Sequence, residues 1–316
     1  MDMTIFQQKD ILPSLVVNKL ASIDIDYKEK YRQIKDSSQT ARPQLAAGVV
    51  LLLNYKQFAN GKSEYVFQLI KRSEKVSQAG DISCPGGTLQ LATDKIISNL
   101  LTTGLLPSLY GQISNATIHK DRKTVSLIRL FLSNAIREAW EEIGLNPFRV
   151  LFLGALPCYS LILMARTIFP LVCLTPEPFE FKLSAEVEKI LEVPVSTFFD
   201  GTNYALLEIE TPFDNSTQPY HSQFPCIVLS DNQGGKEILW GATFNIIMNF
   251  LRIVPGIDYL SHLRRIQLKK FYLILIFPER AYRCRHYKLC WRFGFMNCSK
   301  LMTFSYCLTL SYIDRP

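Results

Sequence analysis

The run Arg137-Glu138-Ala139-Trp140-Glu141-Glu142-Ile143-Gly144-Leu145 constrains this chain more than any other stretch. On a helix, Glu138 lies three residues before Glu141 and four before Glu142, so the three carboxylates share one side. Like charges at these spacings destabilise an isolated helix. A hard divalent cation bound by carboxylate oxygens is a natural counter-charge, and Arg137 can pair with one of the acids.

The sequence also predicts where this helix ends. Gly144 stands where a C′ glycine terminates a helix, and Pro147 follows soon after it. The acids therefore occupy the last turns, where the negative end of the helix dipole makes uncompensated carboxylates unfavourable. A solvated acidic face is the alternative interpretation, but a loss of stability at such a place is typical of a functional site.

This run resembles the second half of the Nudix box, a family pattern written G-x5-E-x7-R-E-U-x-E-E-x-G-U, where U is a bulky aliphatic residue. The matching residues are Arg137, Glu138, Glu141, Glu142, Gly144 and Leu145. The resemblance implies an α+β fold, the Nudix α/β/α sandwich, in which helical layers cover a mixed β-sheet. The alternation of apolar strands and helices along the chain is compatible with that architecture.

The first half of the box is displaced towards the N-terminus. The segment Ile82-Ser83-Cys84-Pro85-Gly86-Gly87 resembles the P-G-G turn that opens the Nudix loop, and Asp94 lies close to the expected loop acid. We therefore expect an insertion, about residues 95–124, between this turn and the acidic helix. It should contain a short helix followed by a surface excursion. A lid, a partner surface and neutral decoration are all open roles.

Flanking segments resemble the coenzyme A diphosphatase branch of the family. They are Phe67-Gln68-Leu69-Ile70-Lys71-Arg72-Ser73, Ala79-Gly80-Asp81-Ile82-Ser83, Val193-Pro194-Val195-Ser196-Thr197-Phe198-Phe199-Asp200 and Glu237-Ile238-Leu239-Trp240-Gly241-Ala242-Thr243. They occur in the expected order between about residues 45 and 254. Val76 stands where the branch usually has an arginine, and Arg72 is a candidate replacement.

The resemblance implies a set of site residues. Metal binding and catalysis are assigned to Glu138, Glu141 and Glu142, with Arg137 orienting a glutamate and Mg2+ or Mn2+ as the cofactor. Substrate binding is assigned to Gly86, Gly87 and Arg72. The general base stays open between one of the three glutamates and a downstream acid such as Glu186 or Glu188.

The implied reaction splits coenzyme A or an acyl derivative into 3′,5′-ADP and a 4′-phosphopantetheine species. Hydrolysis of another nucleoside diphosphate derivative, such as ADP-ribose, is the alternative within enzymes. A Nudix-fold protein that binds a nucleotide or a partner without turnover is the alternative outside them. The expected partner is a small nucleotide, with no nucleic acid and no membrane, and a homodimer is compatible with the resemblance.

Length and charge suggest three parts of the chain. Residues 1–44 form a predicted helical extension, 45–255 the Nudix domain, and 256–316 a tail. From Gly256 onward there are 11 Lys/Arg and 3 Asp/Glu, so the net charge of +7 comes from the tail. This distribution argues against a nucleic-acid-binding catalytic part. No signal peptide or long apolar run is evident, and the expected location is the cytoplasm.

The tail is basic, aromatic and rich in cysteine, without helical or strand periodicity. A zinc site or a single-strand nucleic-acid surface could be imagined there, but an atypical and poorly ordered extension is the favoured interpretation. Elsewhere, Val187–Leu191 reads as a short helix, and Trp140 reads as a core residue. Cys84, Cys158, Cys173 and Cys226 are scattered and predicted to be reduced thiols.

Overall fold

The structure is a computed structural model that describes residues 3–101, 113–161, 164–176, 179–211, 220–230, 235–256 and 269–274. The predicted tail, residues 256–316, lies outside the described residues except for Gly256 and one strand. Residues 102–112 of the predicted insertion lie outside them too.

Besides helical residues at 113–116 and four short 3-10 helices, five α-helices lie wholly within these ranges. They are α1 Ile11–Ser22, α2 Tyr27–Ser37, α3 Leu91–Leu100, α4 Arg122–Ile143 and α5 Gly241–Ile253. The strands are β1 Leu45–Gln57, β2 Ser63–Arg72, β3 Ile82–Ser83, β4 Gly86–Thr88, β5 Leu151–Ala155, β6 Tyr159–Leu161, β7 Arg166–Thr175, β8 Val187–Pro194, β9 Tyr204–Thr211, β10 Tyr220–Ser230, β11 Lys236–Leu239 and β12 Lys269–Ile274.

The larger sheet is mixed. Its main path is β3-β2-β1-β7-β5, with β4 beside β1, β6 beside β7 and β8 beside β2. Strands β1 and β7 are parallel, whereas β1 and β2 are antiparallel. The short strands β3 and β4 pair with β2 and β1 respectively, so the Cys84-Pro85 link between them lies where β1 and β2 separate. The mixed sheet of the predicted α+β class is confirmed.

The sheet has a hydrophobic core on each face. Along β1, Leu51 and Leu53 belong to one core cluster, and Val50 and Leu52 belong to the other. This alternation follows from the two-residue period of a strand. Helices α1 and α5 pack in the first cluster, and α2 and α4 pack in the second. The predicted α/β/α layering is therefore confirmed.

The N-terminal helices occur where the sequence places them and contribute to both cores. Leu12 and Leu20 of α1 are buried in the first cluster, and Tyr27 of α2 is buried in the second. The Tyr27 hydroxyl donates to the Pro170 carbonyl at 2.9 Å. The predicted extension 1–44 thus packs against the sheet on both faces.

The predicted insertion begins with a helix, as expected, but it is not only a surface excursion. Leu101, Ile113 and Ala116 are buried in the cluster that contains Phe131 of α4. Apolar side chains at both ends of the undescribed stretch therefore enter the core beneath α4, where their burial stabilises the fold.

The predicted helix at Val187–Leu191 is wrong, because these residues belong to strand β8. They pair antiparallel with the outer side of β2. Val187, Ile190 and Leu191 have helical spacing, but pairing with β2 overrides so short a pattern.

A second sheet has the order β11-β10-β9-β12, with β12 parallel to β9. Within the described ranges, no helix is both long enough and apolar enough to cross a bilayer. The four cysteines predicted to be reduced, Cys84, Cys158, Cys173 and Cys226, are free thiols.

Candidate active site

Helix α4 carries the acidic run and has well-defined ends. Asp121 caps its first turn, since its Oδ1 accepts from the Lys123 and Thr124 amides at 3.1 and 3.2 Å. Gly144 ends it in the left-handed region at φ 72°, and its N–H donates to the Trp140 carbonyl at 2.9 Å. The predicted helix end is confirmed.

The last carbonyls of α4 are bonded by a neighbouring segment. The Lys182 amide donates to the Ile143 carbonyl at 3.0 Å, and the Ser184 amide donates to the Glu142 carbonyl at 2.9 Å. These bonds satisfy backbone acceptors that a helix end leaves open. They also hold the backbone of Glu142 in place from outside the helix.

Asn134 fixes α4 against the sheet one turn before the acids. This fully buried side chain accepts from the Gly48 amide of β1 through Oδ1 at 2.7 Å. Its Nδ2 donates to the Thr88 carbonyl of β4 at 3.2 Å. The helix therefore has a fixed position relative to the strand that carries the glycine turn.

Arg137 is the centre of the charge cluster. Its Nε lies 2.8 Å from Asp94 Oδ1, its Nη2 lies 2.8 Å from Glu138 Oε1, and its Nη1 lies 3.2 Å from Glu141 Oε2. Burial alone would lower the pKa of Arg137, but Asp94 and the glutamates raise it above its usual value. The positive charge that offsets Glu138 and Glu141 is therefore this arginine.

Asp94 holds Arg137 from the side of helix α3. Its side chain is fully buried, and its Oδ2 also accepts from the Gln90 amide at 2.7 Å. The acid that the sequence places near the displaced loop position thus binds the arginine of the acidic run.

The glycine turn lies directly against the glutamates. The Gly86 amide donates to Glu142 Oε2 at 2.8 Å. Gly86 has φ +147°, and a Cβ there would lie 2.3 Å from the Gly48 carbonyl oxygen. A Cβ on Gly87 would lie 2.4 Å from Glu138 Oε2. Both positions require glycine for this close approach, and the predicted juxtaposition of turn and acids is present.

Burial perturbs the two inward-facing glutamates. It raises the pKa of Glu142 to about 7, with smaller contributions from the charges of Glu138 and Glu186 and opposition from Gly86 and Arg72. Burial also raises the pKa of Glu138, against the effect of Arg137. Raised carboxylate pKa values indicate a place where more positive charge would be stabilising.

The three glutamates offer the oxygen ligands that a divalent cation prefers, but only part of the arrangement that would hold one. Among the described residues, Glu138 Oε2 and Glu142 Oε1 accept no hydrogen bond, and carboxylate oxygen is the ligand that Mg2+ prefers. In the described ranges, however, no group of three or more His, Cys, Asp or Glu side chains is arranged to hold a metal ion. Glu141 pairs with Arg137, so its participation requires it to turn away.

The basic residues at the end of β2 differ in availability. Lys71 forms ion pairs with Glu188 at 3.1 Å and Glu237 at 3.0 Å, so the charges of Lys71 and Glu188 already have partners. Arg72 donates through Nε to the Ser77 carbonyl at 3.0 Å, and its charge acts on Glu142. Arg72 therefore lies close to the acids, as a substrate-binding role requires.

Two of the segments that resemble the coenzyme A diphosphatase branch meet beside the turn. Trp240 Nε1 donates to Asp81 Oδ1 at 3.3 Å. Burial raises the pKa of Asp81 to about 6, while Trp240 and Arg72 oppose the shift. The first turn of α5 therefore borders the same end of the sheet as the glycine turn.

Trp140 is not the predicted core residue, because 62% of it is exposed. Its neighbour Ala139 is fully buried, and one residue further along a helix points about 100° away. The sequence also missed Asn134 and Arg166. An amide side chain at helical spacing from the apolar Leu130 and Phe131 was a usable signal for Asn134, whereas Arg166 belongs to no motif.

No family model and no curated protein sequence matches the chain. Among solved structures, a Nudix hydrolase from M. smegmatis is similar at 15% identity and TM-score 0.29, over 48% of this chain and 71% of that one. An Ap4A hydrolase from C. elegans has 14% identity and TM-score 0.28, over 48% and 81%. A MutT protein from Methanosarcina mazei has 18% identity and TM-score 0.27, over 50% and 82%. Likenesses this weak carry no conclusion on family or activity.

Proposed function

We propose that this chain is a metal-dependent hydrolase of the Nudix superfamily that cleaves a diphosphate linkage. The observation that carries the proposal is the contact of Glu138 and Glu142, one helical turn apart, with the Gly86-Gly87 turn. Each of these glutamates has a carboxylate oxygen that accepts no hydrogen bond from the described residues. A diphosphate ester needs such a site, because its phosphorus is shielded by anionic oxygens.

Glu138 and Glu142 would hold Mg2+ or Mn2+, with Glu141 joining when it leaves Arg137. The ion would neutralise phosphate charge and activate the attacking water. Arg137, held by Asp94, keeps Glu138 at the glycine turn. Gly87 leaves no side chain between that carboxylate and the approaching substrate.

The chain's own residues limit the choice of general base. Glu188 is paired with Lys71. Glu186 is exposed, and its charge acts on Glu142. Glu186 is therefore the better placed of the two downstream acids to accept a proton from water beside the site.

Coenzyme A or an acyl derivative is the proposed substrate, with 3′,5′-ADP and a 4′-phosphopantetheine species as products. Support comes from the meeting of two segments that resemble the branch, through Trp240 and Asp81. ADP-ribose is the second candidate substrate, and a binding protein without turnover is the remaining alternative.

The test is a hydrolysis assay of the full chain with Mg2+ or Mn2+ against coenzyme A, ADP-ribose and nucleoside triphosphates. The wild type should hydrolyse coenzyme A, and Glu141→Gln should lose at least about 10- to 100-fold in activity, as expected for loss of a group at a metal site. Glu29→Gln, an exposed change on α2, is the matched control. If no substrate is hydrolysed, the proposal that the chain is an enzyme is rejected. If ADP-ribose alone is hydrolysed, coenzyme A is rejected as the substrate.

A further inference from the structure

Arg166, the first residue of β7, has a guanidinium group without a counter-charge in the part of the chain that the structure describes. It pairs in register with Leu45 of β1 and Leu161 of β6. Its Nε is buried and has no hydrogen-bond partner, and no ion pair joins it to any described residue. Arg166 is therefore a half-buried cation whose charge none of the described residues neutralises.

The charged neighbour that acts on Arg166 has the same sign. Burial lowers the pKa of Arg166, and the charge of Arg72 lowers it further. Arg72 also acts on Glu142 and Asp81, so it is within electrostatic range of both the acidic site and Arg166. The segment after Arg72 touches the residues just before β7, since Gln78 Nε2 donates to Met164 Sδ at 3.6 Å. The two guanidinium groups therefore lie at the same end of the sheet.

The two carboxylates on which Arg72 acts take their hydrogen bonds from donors other than arginine. Asp81 accepts from Trp240 Nε1, and Glu142 accepts from the Gly86 amide. A further polar group, the buried Ser83 hydroxyl, has no hydrogen-bond partner among the described residues. It lies on β3, two residues after Asp81.

Placing an unpaired cation beside another cation is unfavourable, since removal from water is not offset by an opposite charge. Such an arrangement is stabilised when an anion binds. Arginine suits phosphate in particular, because its planar donors match two phosphate oxygens at once.

We propose that Arg166 and Arg72 form an anion-binding subsite that holds phosphate oxygens of the substrate, beside the glycine turn and beyond the glutamates. The inference rests on the proposed function for the identity of that substrate. The bound oxygens belong either to the far phosphoryl group of the cleaved diphosphate or to a separate phosphomonoester. Arg166 is a substrate-binding residue in both cases.

The first experiment measures kcat and KM for coenzyme A and its 3′-dephospho form. For Arg166→Gln we expect KM to rise about 10- to 100-fold, the effect of losing a charged hydrogen bond, while kcat changes little. Arg166→Lys should recover part of the loss. If Arg166→Gln removes a preference for coenzyme A over the dephospho form, the group is the monoester. An equal rise for both substrates assigns it to the diphosphate.

The matched control is Arg149→Gln, an exposed arginine away from the glycine turn in sequence. Thermal unfolding separates binding from a structural role. Since Arg166 has no partner to lose among the described residues, Arg166→Gln should keep or raise the Tm of the metal-free protein. A lower Tm together with unchanged KM values for every substrate would overturn the proposal.

A second experiment does not depend on turnover. Isothermal titration calorimetry of the full chain with inorganic pyrophosphate, in EDTA, should show binding that Arg166→Gln weakens at least about tenfold. If no substrate is hydrolysed but this difference is present, the proposed function fails and the anion subsite stands. If substrate is hydrolysed but neither pyrophosphate affinity nor KM depends on Arg166, the subsite fails and the proposed function stands.

Discussion

Arg137 and Arg166 lie at the same end of the molecule and have opposite surroundings. Arg137 is 7% exposed and touches three carboxylates, from Asp94, Glu138 and Glu141. Arg166 touches none among the described residues, and its charged neighbour is Arg72. An arginine whose donors are all used holds other side chains in position. An arginine whose donors are unused is available to a ligand.

The strongest test of this contrast is Arg137→Met. It leaves the fully buried Asp94 carboxylate without its counter-charge, so we expect a loss of about 3 to 5 kcal/mol in the free energy of unfolding. Urea unfolding followed by circular dichroism measures it, with Arg149→Met as the surface control. A loss no larger than that of the control would mean that Arg137 is not the structural arginine of the two.

The second-largest expected effect is the pH dependence of stability that Glu142 causes in the metal-free protein. Its pKa is raised to about 7 by burial, whereas an unfolded chain has a glutamate pKa of about 4.3. The native state therefore binds the extra proton between these values, and stability is lost as pH rises through them. Glu142→Gln should remove this loss, so the variant gains about 3 kcal/mol relative to wild type between pH 4 and pH 8.

Urea unfolding at several pH values in EDTA checks this. Added Mg2+ should then stabilise the wild type at pH 8 and leave Glu142→Gln unaffected. If the difference in unfolding free energy between the two proteins does not depend on pH, burial does not raise the pKa of Glu142. The carboxylates around Arg137 would then need no further cation.

Gly87→Ala tests how closely Arg137 must hold Glu138. The added methyl group would lie 2.4 Å from Glu138 Oε2 and must displace that carboxylate. Since a displacement of about 1 Å can reduce a rate about 100-fold, we expect a loss of that size in kcat. Gly61→Ala is the control for backbone strain alone, because its φ is +80° but a Cβ there meets nothing within 4 Å. Full activity of Gly87→Ala would show that Glu138 takes no part in the reaction.

The smallest expected effect is that of Glu141→Gln on the free energy of unfolding. The Glu141 side chain is 56% exposed, and exposed ion pairs contribute about 0.2 to 1 kcal/mol. Urea unfolding should therefore show a loss below about 1 kcal/mol, even where hydrolysis is lost. A loss as large as that of Arg137→Met would mean that Arg137 depends on its exposed partner and not on Asp94.

The surroundings of Arg137 can be predicted from the sequence better than those of Arg166. Helix α4 and its end at Gly144 follow from local rules of spacing and capping, whereas the turn at Gly86-Gly87 comes from the resemblance. The approach of that turn to the acids follows from the resemblance, since no local rule joins segments so far apart in the chain. The misassignment of β8 and the exposure of Trp140 show where tertiary pairing and helix rotation override local pattern.

Arg166 illustrates what sequence patterns leave out. It is one arginine at the start of an apolar strand, and nothing around it in the chain marks it. Its importance comes from the absence of a partner among the described residues, which is a property of three-dimensional neighbours. Asn134 is similar, since both of its hydrogen bonds are to residues far away in sequence.

Hydrogen bonds hold α4 at two points, and this has a consequence for how the chain can vary. Asn134 holds the helix to β1 and β4 on one side of the acids, and the Lys182 and Ser184 amides hold its end on the other. The glutamates therefore keep their rotation about the helix axis through contacts outside the segment between α3 and Asp121. A change of length in that segment would act on stability, through the burial of Leu101, Ile113 and Ala116, more than on the rotation of the carboxylates.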